Sequence, residues 1–321
     1  MINIDWYGSL AAADVARVRA LLVDVRAVDG RPELPVEGLP AEFLLGQHAL
    51  ASEDDQGSQD DADAVLVGYA HLDTHGDAFG REIGELLVHP AHRGRGVGGA
   101  LLDALVRRAG VGEGHGDRLR LWAHGDQPAA ARLAASRGFV KVREMYRMRL
   151  PSMATAETSI ATIETAAGAL PDGVRVRTIV AGVDERAVIG VNARAFDWHP
   201  EQGALTVDGL REIERADFFD PAGFFLAEDS AGELLGFHWT KVHADFEGSG
   251  ERVGEVYVLA VDPRAQGIGL GKALTGVGLD HLRRVGVDDV ILYVESDNRA
   301  AIAVYERLGF SVELSDVQYA R

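Results

Sequence analysis

The stretch that decides the fold is LAVDPRAQGIGLGKALTGVG, residues 259–278. A hydrophobic run ends at Pro263, glycine then occupies every second position from Gly267 to Gly271, and a helical pattern starts at once. Glycine is required where a backbone adopts positive φ or comes very close to a ligand. Successive backbone N–H groups and the positive end of a helix dipole both favour an anion. The stretch therefore predicts an anion-binding turn at a helix N-terminus.

The same phrase occurs earlier in the chain, as LLVHPAHRGRGVGGALLDAL at residues 86–105. The offset between the copies is 173 residues from Pro90 to Pro263, and it also aligns Gly96 with Gly269. Further on, SRGFV in the first half corresponds to RLGFS in the second half. Two matches in the same order indicate two tandem copies of one domain.

The repeat divides the chain into domains at residues 1–150 and 174–321, joined by a linker at 151–173. The linker is rich in Ala, Thr and Ser, and we expect it to be partly helical. Residues 52–64 are acidic and have no apolar period, so we expect an exposed loop there.

Each copy has the same order of predicted elements. An early helix is followed by strands, the glycine phrase and its helix, a short strand, a further helix and a closing strand that completes the copy. This order predicts an α+β fold, with a mostly antiparallel sheet flanked by helices on both faces. The predicted helices include 9–28, 98–109, 184–196 and 271–285, and the predicted strands include 64–71, 81–89, 118–123, 224–228, 234–242, 254–262 and 289–295.

Composition excludes several classes of function. The 321 residues include no cysteine, which excludes disulfides, thiolate metal sites and a cysteine nucleophile. A formal charge of −18 argues against a nucleic-acid partner, because phosphate backbones need a basic surface. No apolar run approaches the roughly 18 residues needed to span a bilayer, and the first residues do not resemble a secretory signal. We expect a cytoplasmic protein with no membrane partner.

Three other interpretations of the glycine phrase are possible. GRGVGG at residues 94–99 fits the dinucleotide fingerprint, but four residues separate the strand from it and Lys272 breaks the pattern in the second copy. A P-loop needs Ser or Thr where Ala273 stands. The third is a turn with no ligand, which is harder to accept for two copies than for one.

Two motifs resemble the GCN5-related N-acetyltransferase (GNAT) family. They are QGIGLG at 266–271 and NRAAIAVYERLGF at 298–310, and RGRGVG at 93–98 carries the match in the first copy. The two copies together cover nearly the whole chain. The resemblance implies two tandem GNAT domains, each a mostly antiparallel mixed sheet flanked by helices. The motifs are specific for fold and cofactor and much less so for the acceptor.

The resemblance implies acetyl-CoA as cosubstrate, with its pyrophosphate on the glycine loop, and no metal. The cofactor positions that it implies in the second copy are Leu259, Ala260, Val261, Gln266, Gly267, Ile268, Gly269, Leu270, Gly271, Lys272, Asn298, Arg299, Ala300, Ala301, Ile302 and Ala303. Those in the first copy are Leu87, Val88, His89, Arg95, Gly96, Val97, Gly98, Gly99 and Ala100.

The two copies differ in the residues that would carry chemistry. The resemblance implies that Tyr305 protonates the departing thiolate, and Ala134 stands opposite it in the first copy. Gln127 likewise stands opposite Asn298. The alternative for Tyr305 is an aromatic ring that packs on the sheet. We therefore expect a catalytic second domain and a first domain that is non-catalytic and contributes to substrate binding.

A carboxylate lies eight residues before the proline in both copies, at Glu82 and Glu255. Alternation places Glu255 on one strand face with Tyr257, Leu259 and Val261, where it can take a proton from an attacking amine. The alternative is a solvated glutamate at the end of a strand. Backbone N–H groups at Leu259 to Val261 are the expected donors to the thioester carbonyl.

Further stretches of the sequence narrow the range of possible acceptor substrates. HPEQG, GFHWTKVH and GEVYV resemble tandem members of the family that acetylate the cysteinyl amine of cysteinyl-glucosaminyl-inositol, a small polar amine. The resemblance implies substrate contacts from Glu37, Glu201, Lys241, Glu255 and Tyr293, with Glu33 as the alternative to Glu37. Other functions remain open. The acceptor could be another small amine or a protein N-terminus, or the chain could be a non-catalytic acyl-CoA-binding protein. No second ligand stands at metal spacing from His199, so we do not expect this histidine to bind a metal. Two fused domains in one chain favour a monomer.

Overall fold

The computed structural model describes residues 2–30, 46–53, 65–77, 79–110, 118–151, 157–197, 205–246 and 250–321. The chain forms two compact units, which consist of Met1–Glu144 with Ser315–Arg321 and of Met145–Leu314. We refer to them as unit 1 and unit 2. The domain boundaries at 150 and 174 rest on the repeat alone and stay a prediction.

Unit 1 contains a mixed sheet with helices on both faces. Its strands lie in the order β1-β2-β3-β4-β5, antiparallel except for the parallel β4–β5 pair. The elements are β1 (Ile2–Tyr7), α1 (Ala12–Asp29), β2 (Gln47–Glu53), β3 (Val65–Asp73), β4 (Glu82–Val88), α2 (Val97–Arg108), β5 (Leu119–Ala123), α3 (Pro128–Ser136) and the first part of β6 (Val140–Leu150).

Unit 2 repeats this arrangement. Its strands lie in the order β11-β10-β9-β8-β7, again antiparallel except for one parallel pair, β10–β11. The elements are α4 (Glu157–Ala167), β7 (Arg175–Thr178), α5 (Glu185–Ala195), α6 (Val207–Ile213), β8 (Phe224–Glu228), β9 (Leu234–His243), β10 (Val253–Val261), α7 (Leu270–Arg284), β11 (Asp289–Glu295), α8 (Arg299–Arg307) and the first part of β12 (Ser311–Ala320).

The closing strand of each sequence copy completes the sheet of the unit that is built mainly from the other copy. In unit 1, β12 adds antiparallel to β5, with Val317 opposite Ala123. In unit 2, β6 adds antiparallel to β11, with Leu150 opposite Val290. The expectation that each closing strand completes its own copy was therefore wrong. An open sheet edge needs a partner strand, and because the copies are alike, either closing strand can fill either edge.

The period-2 alternation of the strands divides each core into two layers. In unit 1, α1 packs Val18, Leu21 and Leu22 against Tyr69 on one sheet face, while α2 packs Leu101, Leu102 and Leu105 on the other. In unit 2, α5 and α6 cover a cluster around Phe224, Phe237 and Trp239. The opposite face carries α7 and α8, with Leu279, Leu282 and Ile302.

The predicted elements agree with the observed ones to within a few residues. The elements β1, β2, β7 and α6 were not predicted. Strand β7 has four residues and α6 has seven, which is too short for a clear period. The alternation of Ile2, Ile4 and Trp6 did carry a signal for β1, and it was missed. The linker contains α4, as expected for a partly helical segment. Among the described residues, no helix is both long and apolar enough to cross a membrane.

Candidate active site

The glycine loop of unit 2 has the conformation that only glycine adopts freely. After a 3-10 turn at Pro263–Ala265, Gly267 and Gly269 adopt φ of 80° and 88°, and Gly269 is the N-cap of α7. A Cβ on either glycine would meet no atom of the described residues within 4 Å. The first N–H groups of α7 have no partner within the helix, which fits the loop for an anion.

Unit 1 contains the same loop in the same conformation. Gly94 and Gly96 adopt φ of 75° and 90°, and Gly96 is the N-cap of α2. A 3-10 turn at Pro90–His92 precedes them, as in unit 2. The proposed cofactor positions of unit 1 thus lie on β4, on this loop and on the first turn of α2. At Gly99 a Cβ would come within 2.5 Å of the Arg137 guanidinium, the mobile end of a long side chain, which would have to shift.

The start of the unit 2 loop is held by a buried carboxylate. Asp262 is fully buried and accepts hydrogen bonds from the backbone N–H and side chain of Arg264 at 2.9–3.0 Å, and from Arg194 at 2.8 Å. Hydrogen bonds from Arg264, and then from Arg194, hold the pKa of Asp262 well below its usual range. In unit 1 the loop is held differently, by a bidentate pair between Arg93 and Asp29.

Beside each loop, the two parallel strands of the sheet separate. The β10–β11 register covers only Val253 to Val256, although β10 continues to Val261 and β11 to Glu295. Beyond Val256, alternate backbone groups of β10 face away from β9 into the gap that this leaves. The β4–β5 register likewise ends at Gly84. The gap in unit 2 contains the backbone of Leu259, Ala260 and Val261, the proposed thioester contacts.

A β-bulge at Tyr257 changes which residues of β10 share a face. Val256 lies opposite Thr240 but Val258 lies opposite Trp239, so Tyr257 is an extra residue in β10. Tyr257 packs with Trp239 and Val258 on the α5 side of the sheet. Leu259 and Val261 pack on the α7 side with Leu270 and Leu274. The expectation that these two residues share a face with Tyr257 was therefore wrong.

The bulge also corrects the predicted equivalence of Glu255 and Glu82. A Cβ at Gly254 would meet Leu282 of α7, so its neighbour Glu255 lies on the opposite face. Strand β4 has no bulge in its pairing with β3, and alternation places Glu82 with Gly84 on the α2 side. Glu255 therefore corresponds to Ile83, and unit 1 has no carboxylate in the position of Glu255.

Glu255 lies on the sheet face that also carries two of the proposed substrate contacts. Lys241 is its cross-strand neighbour on β9. Tyr293 lies two residues beyond Ile291, the parallel partner of Glu255 on β11, so its side chain projects from the same face. The structure thus brings Lys241, Glu255 and Tyr293 together on one face of unit 2. Tyr293 is 37% exposed, whereas Glu255 is 7% exposed.

The ammonium group of Lys241 sits over two aromatic rings. Its Nζ lies 4.4 Å from the ring centre of Phe218 and 5.0 Å from that of Tyr257. Such cation–π contacts hold the ammonium beside the site. Glu255 instead contacts His243, whose Nε2 lies 2.7 Å from Glu255 Oε2.

Helix α8 positions the remaining residues of the motif. Asn298 is the N-cap of α8, and its side-chain oxygen accepts a hydrogen bond from the backbone N–H of Ala301 at 3.1 Å. Tyr305 lies two turns further on, 7% exposed, and packs edge-on against Phe310. Burial raises the pKa of the Tyr305 phenol to about 12. The phenol therefore keeps its proton at neutral pH.

The equivalent helix of unit 1, α3, places its residues as the alignment of the two copies predicted. Gln127 is the N-cap of α3, and Ala134 occupies the same place on α3 as Tyr305 on α8. Gln127 makes no side-chain cap hydrogen bond. Unit 1 thus combines a complete glycine loop with a helix that carries no phenol at this position.

Some predicted residues fall outside the part of the chain that the structure describes. These are Glu37, its alternative Glu33, Glu201 and His199. Within the described ranges, no group of three or more His, Asp or Glu side chains has an arrangement that could hold a metal ion.

Sequence reasoning missed two features of this site, the bulge at Tyr257 and the imidazole of His243. The stretch WTKVH carried a signal for the histidine, because Trp239, Lys241 and His243 alternate and so share a face. The pairing register that puts His243 beside Glu255 depends on two strands at once, and one strand's pattern does not contain it.

The fold and the site together define the class of protein as an acetyltransferase. Comparison with known proteins gives the same class. The model of the acetyltransferase (GNAT) family matches residues 31–139 and 192–310. The solved GCN5-related N-acetyltransferase from Sphaerobacter thermophilus is 21% identical, with a TM-score of 0.69 over 99% of this chain and 95% of that one. A tandem GNAT protein from the clavulanic acid biosynthesis pathway is 18% identical, with a TM-score of 0.69 over 100% and 98%. These two likenesses concern the fold.

Relatives that are similar in sequence identify the family within this class. The chain is 54% identical to the mycothiol acetyltransferase of Saccharomonospora viridis, over 100% of this chain and 99% of the relative. It is 50% identical to that of Amycolatopsis mediterranei over 99% and 98%. It is 46% identical to that of Actinosynnema mirum over the full length of both. The chain therefore belongs to the GNAT acetyltransferases and, within them, to the family of mycothiol acetyltransferases. It is an N-acetyltransferase with two tandem GNAT domains.

Proposed function

We propose that this protein transfers the acetyl group of acetyl-CoA to the cysteinyl amine of cysteinyl-glucosaminyl-inositol, and that unit 2 performs the transfer. The single observation that carries the proposal is the asymmetry between the units. Both have the glycine loop, but only unit 2 combines it with Glu255 on the bulged strand and Tyr305 on α8. The assignment of substrate is supported by the mycothiol acetyltransferase relatives.

The glycine loop and the ends of two helices would hold the cosubstrate. Acetyl-CoA supplies the activated acetyl group as a thioester. The N–H groups at the start of α7 fit its pyrophosphate, because they have no partner within the helix and no described atom lies within 4 Å of a Cβ placed at Gly267 or Gly269. Backbone N–H groups of β10 in the gap beside β11 would donate to the thioester oxygen, where negative charge develops.

Glu255 would act as the general base. An α-amine has an ordinary pKa near 8, so much of it is protonated at neutral pH and must lose a proton before or during attack. Glu255 lies at the place where β10 and β11 separate, close to the backbone that would bind the thioester. Its carboxylate can therefore accept the amine proton, directly or through water.

Tyr305 would act as the general acid. The phenol has its pKa raised to about 12 by burial, so it is protonated throughout the neutral range. A protonated phenol can donate to the thiolate sulfur as the carbon–sulfur bond breaks. Ala134 cannot do so, which is why we assign unit 1 a supporting role in substrate binding.

The acceptor would be recognised by polar groups around Glu255. Tyr293 is partly exposed on the same face, and Lys241 is held beside it by two aromatic rings. Hydroxyl-rich sugars and inositol are bound by such donors and acceptors. Glu37 and Glu201 are the further carboxylates that we propose for the ammonium and hydroxyl groups. We propose a cytoplasmic monomer, with no metal and no nucleic-acid or membrane partner.

A mass-spectrometric acetylation assay tests the proposal. The protein is incubated with acetyl-CoA and, separately, with cysteinyl-glucosaminyl-inositol, glucosaminyl-inositol, an aminoglycoside and a peptide N-terminus. We expect one added acetyl group on the cysteinyl compound and at least 100-fold slower acetylation of the others, because they lack part of the recognised structure. Equal or faster acetylation of another amine would overturn the substrate assignment. Binding of acetyl-CoA without turnover on any amine would identify a non-catalytic acyl-CoA-binding protein.

A further inference from the structure

The imidazole of His243 contacts the carboxylate of Glu255 and has no part in the proposed function. We infer that His243 is a positioning residue that fixes the carboxylate of Glu255 with one oxygen free to act as base. The inference rests on the proposed role of Glu255 as the base. It assigns to His243 an effect on turnover that goes through Glu255 alone.

The register of the β9–β10 pair places the two side chains together. Val253 lies opposite His243 and Glu255 lies opposite Lys241, so His243 and Glu255 are diagonal neighbours on one sheet face. The distance from His243 Nε2 to Glu255 Oε2 is 2.7 Å, a short distance for a hydrogen bond with a charged partner. The side chain of Glu255 is 10% exposed, so few water molecules compete with this bond.

The chemistry of the pair sets the direction of the hydrogen bond. An ionised carboxylate only accepts hydrogen bonds, so His243 Nε2 must carry the hydrogen and donate to Oε2. Oε2 is then held and Oε1 is left to receive the amine proton. In the proposed step that proton moves from the amine nitrogen to Oε1 as the carbon–nitrogen bond forms. His243 keeps its own proton throughout.

The imidazole is itself held by packing. Its ring lies edge-on to Phe246 with 5.5 Å between the ring centres. Phe246 is buried, and the guanidinium of Arg147 covers its ring at 5.3 Å. An ordered imidazole gives Glu255 a fixed donor, whereas Lys241 is engaged with the rings of Phe218 and Tyr257.

Removal of the donor should misplace the base without disturbing the cosubstrate. A free glutamate side chain samples several rotamers, and misplacement of a catalytic group by about 1 Å can cost about 100-fold in rate. His243 lies at the far end of β9 from the glycine loop. The effect should therefore fall on kcat and leave the KM for acetyl-CoA nearly unchanged.

Two substitutions separate the donor from the packing. His243→Phe keeps a ring against Phe246 and removes the N–H donor. His243→Gln removes the ring, but its amide nitrogen can reach the position of Nε2. We expect kcat to fall about 10- to 100-fold in the Phe variant and to recover to within about fivefold of the parent in the Gln variant. If the Phe variant is as active as the parent, or more active than the Gln variant, the inference is wrong.

A double-mutant cycle tests whether His243 acts through Glu255. Adding His243→Phe to Glu255→Gln should not lower kcat further, because the base is already absent. An additional fall in the double variant would overturn the inference. If Glu255→Gln alone retains normal turnover, the proposed function loses its base instead, so the two failures are distinguishable.

His281→Gln, on α7 beside Asp220, is the matched control and should leave kcat unchanged. If the Phe variant does not fold, His243→Asn replaces it, because its shorter amide cannot reach Glu255.

Discussion

At the scale of single residues, Glu255 is the first to test. Glutamine has nearly the same shape as glutamate but is not a base. Glu255→Gln should lower turnover by about 10²- to 10⁴-fold with little change in the KM for acetyl-CoA. Steady-state kinetics at saturating amine measures this. A variant with near-normal turnover would exclude Glu255 as the base.

Tyr305 is tested by removing only its hydroxyl group. Phenylalanine keeps the ring contact with Phe310, so the melting temperature of Tyr305→Phe should stay within a few degrees of the parent. Turnover should fall by about 10²-fold or more, because general acid catalysis contributes that much. An unfolded variant, or one with unchanged turnover, would support the alternative that Tyr305 only packs on the sheet.

The pKa of Tyr305 adds a prediction about pH. Burial raises the pKa to about 12, so the phenol should stay protonated well above its ordinary value near 10. Loss of its proton should therefore cause no fall in kcat below about pH 11. The profile of kcat against pH, compared with that of Tyr305→Phe, measures this. A fall in kcat near pH 9 that is absent in the variant would contradict it.

At the scale of elements, the turn that leads into the glycine loop depends on Asp262. Asp262→Asn should lower the free energy of unfolding by about 1–3 kcal/mol at pH 7, because hydrogen bonds to a charged group are weakened. The folded-state pKa of Asp262 is depressed, so the native carboxylate stabilises above about pH 4 and loses this effect as pH falls through its folded-state pKa. The difference between parent and variant should shrink accordingly in denaturant titrations. Asp208→Asn, at an exposed side chain, is the control and should change little.

The elements show how much of the fold could be predicted from the sequence. The glycine loops, their helices and the strands before them were predicted correctly, because local periodicity and glycine placement determine them. The bulge at Tyr257 was not, since a bulge depends on how two strands pair. That one extra residue invalidated the match of Glu82 with Glu255 and the expected face of Leu259 and Val261. Roles that rest on the resemblance, such as those of Glu37 and Glu201, stay predictions.

At the scale of the whole molecule, the end of the chain is needed to complete unit 1. His124 at the end of β5 lies 3.2 Å from Asp316 on β12 and 3.5 Å from Glu85 on β4. Burial would lower the pKa of His124, but the two carboxylates outweigh it and raise the pKa to about 10. Asp316→Asn removes one of the two carboxylates beside this buried imidazole and should destabilise unit 1 by about 3 kcal/mol.

The pH dependence of this effect follows from the raised pKa. The charged imidazole stabilises fully below its unfolded pKa near 6.5 and loses this effect as pH rises through about 10. Hydrogen exchange of the β5 amides, measured between pH 6 and pH 10, should show the difference between parent and Asp316→Asn shrink as pH rises. Equal protection in parent and variant at pH 6 would contradict the assigned pair.

The central claim is that two units share one loop but only unit 2 transfers the acetyl group, and one measurement tests it directly. An aspartate in the loop should obstruct the pyrophosphate and repel its charge. Single-turnover rates are measured for Gly271→Asp and Gly98→Asp at saturating acetyl-CoA and amine. Neither backbone position has positive φ. A Cβ at Gly271 would contact Val261 at 3.6 Å and a Cβ at Gly98 would contact Val88 at 3.5 Å, and the latter would also come within 3.3 Å of Leu133. We predict that Gly271→Asp abolishes the chemical step and that Gly98→Asp leaves it largely intact. Loss of chemistry in Gly98→Asp with its retention in Gly271→Asp would contradict the assignment.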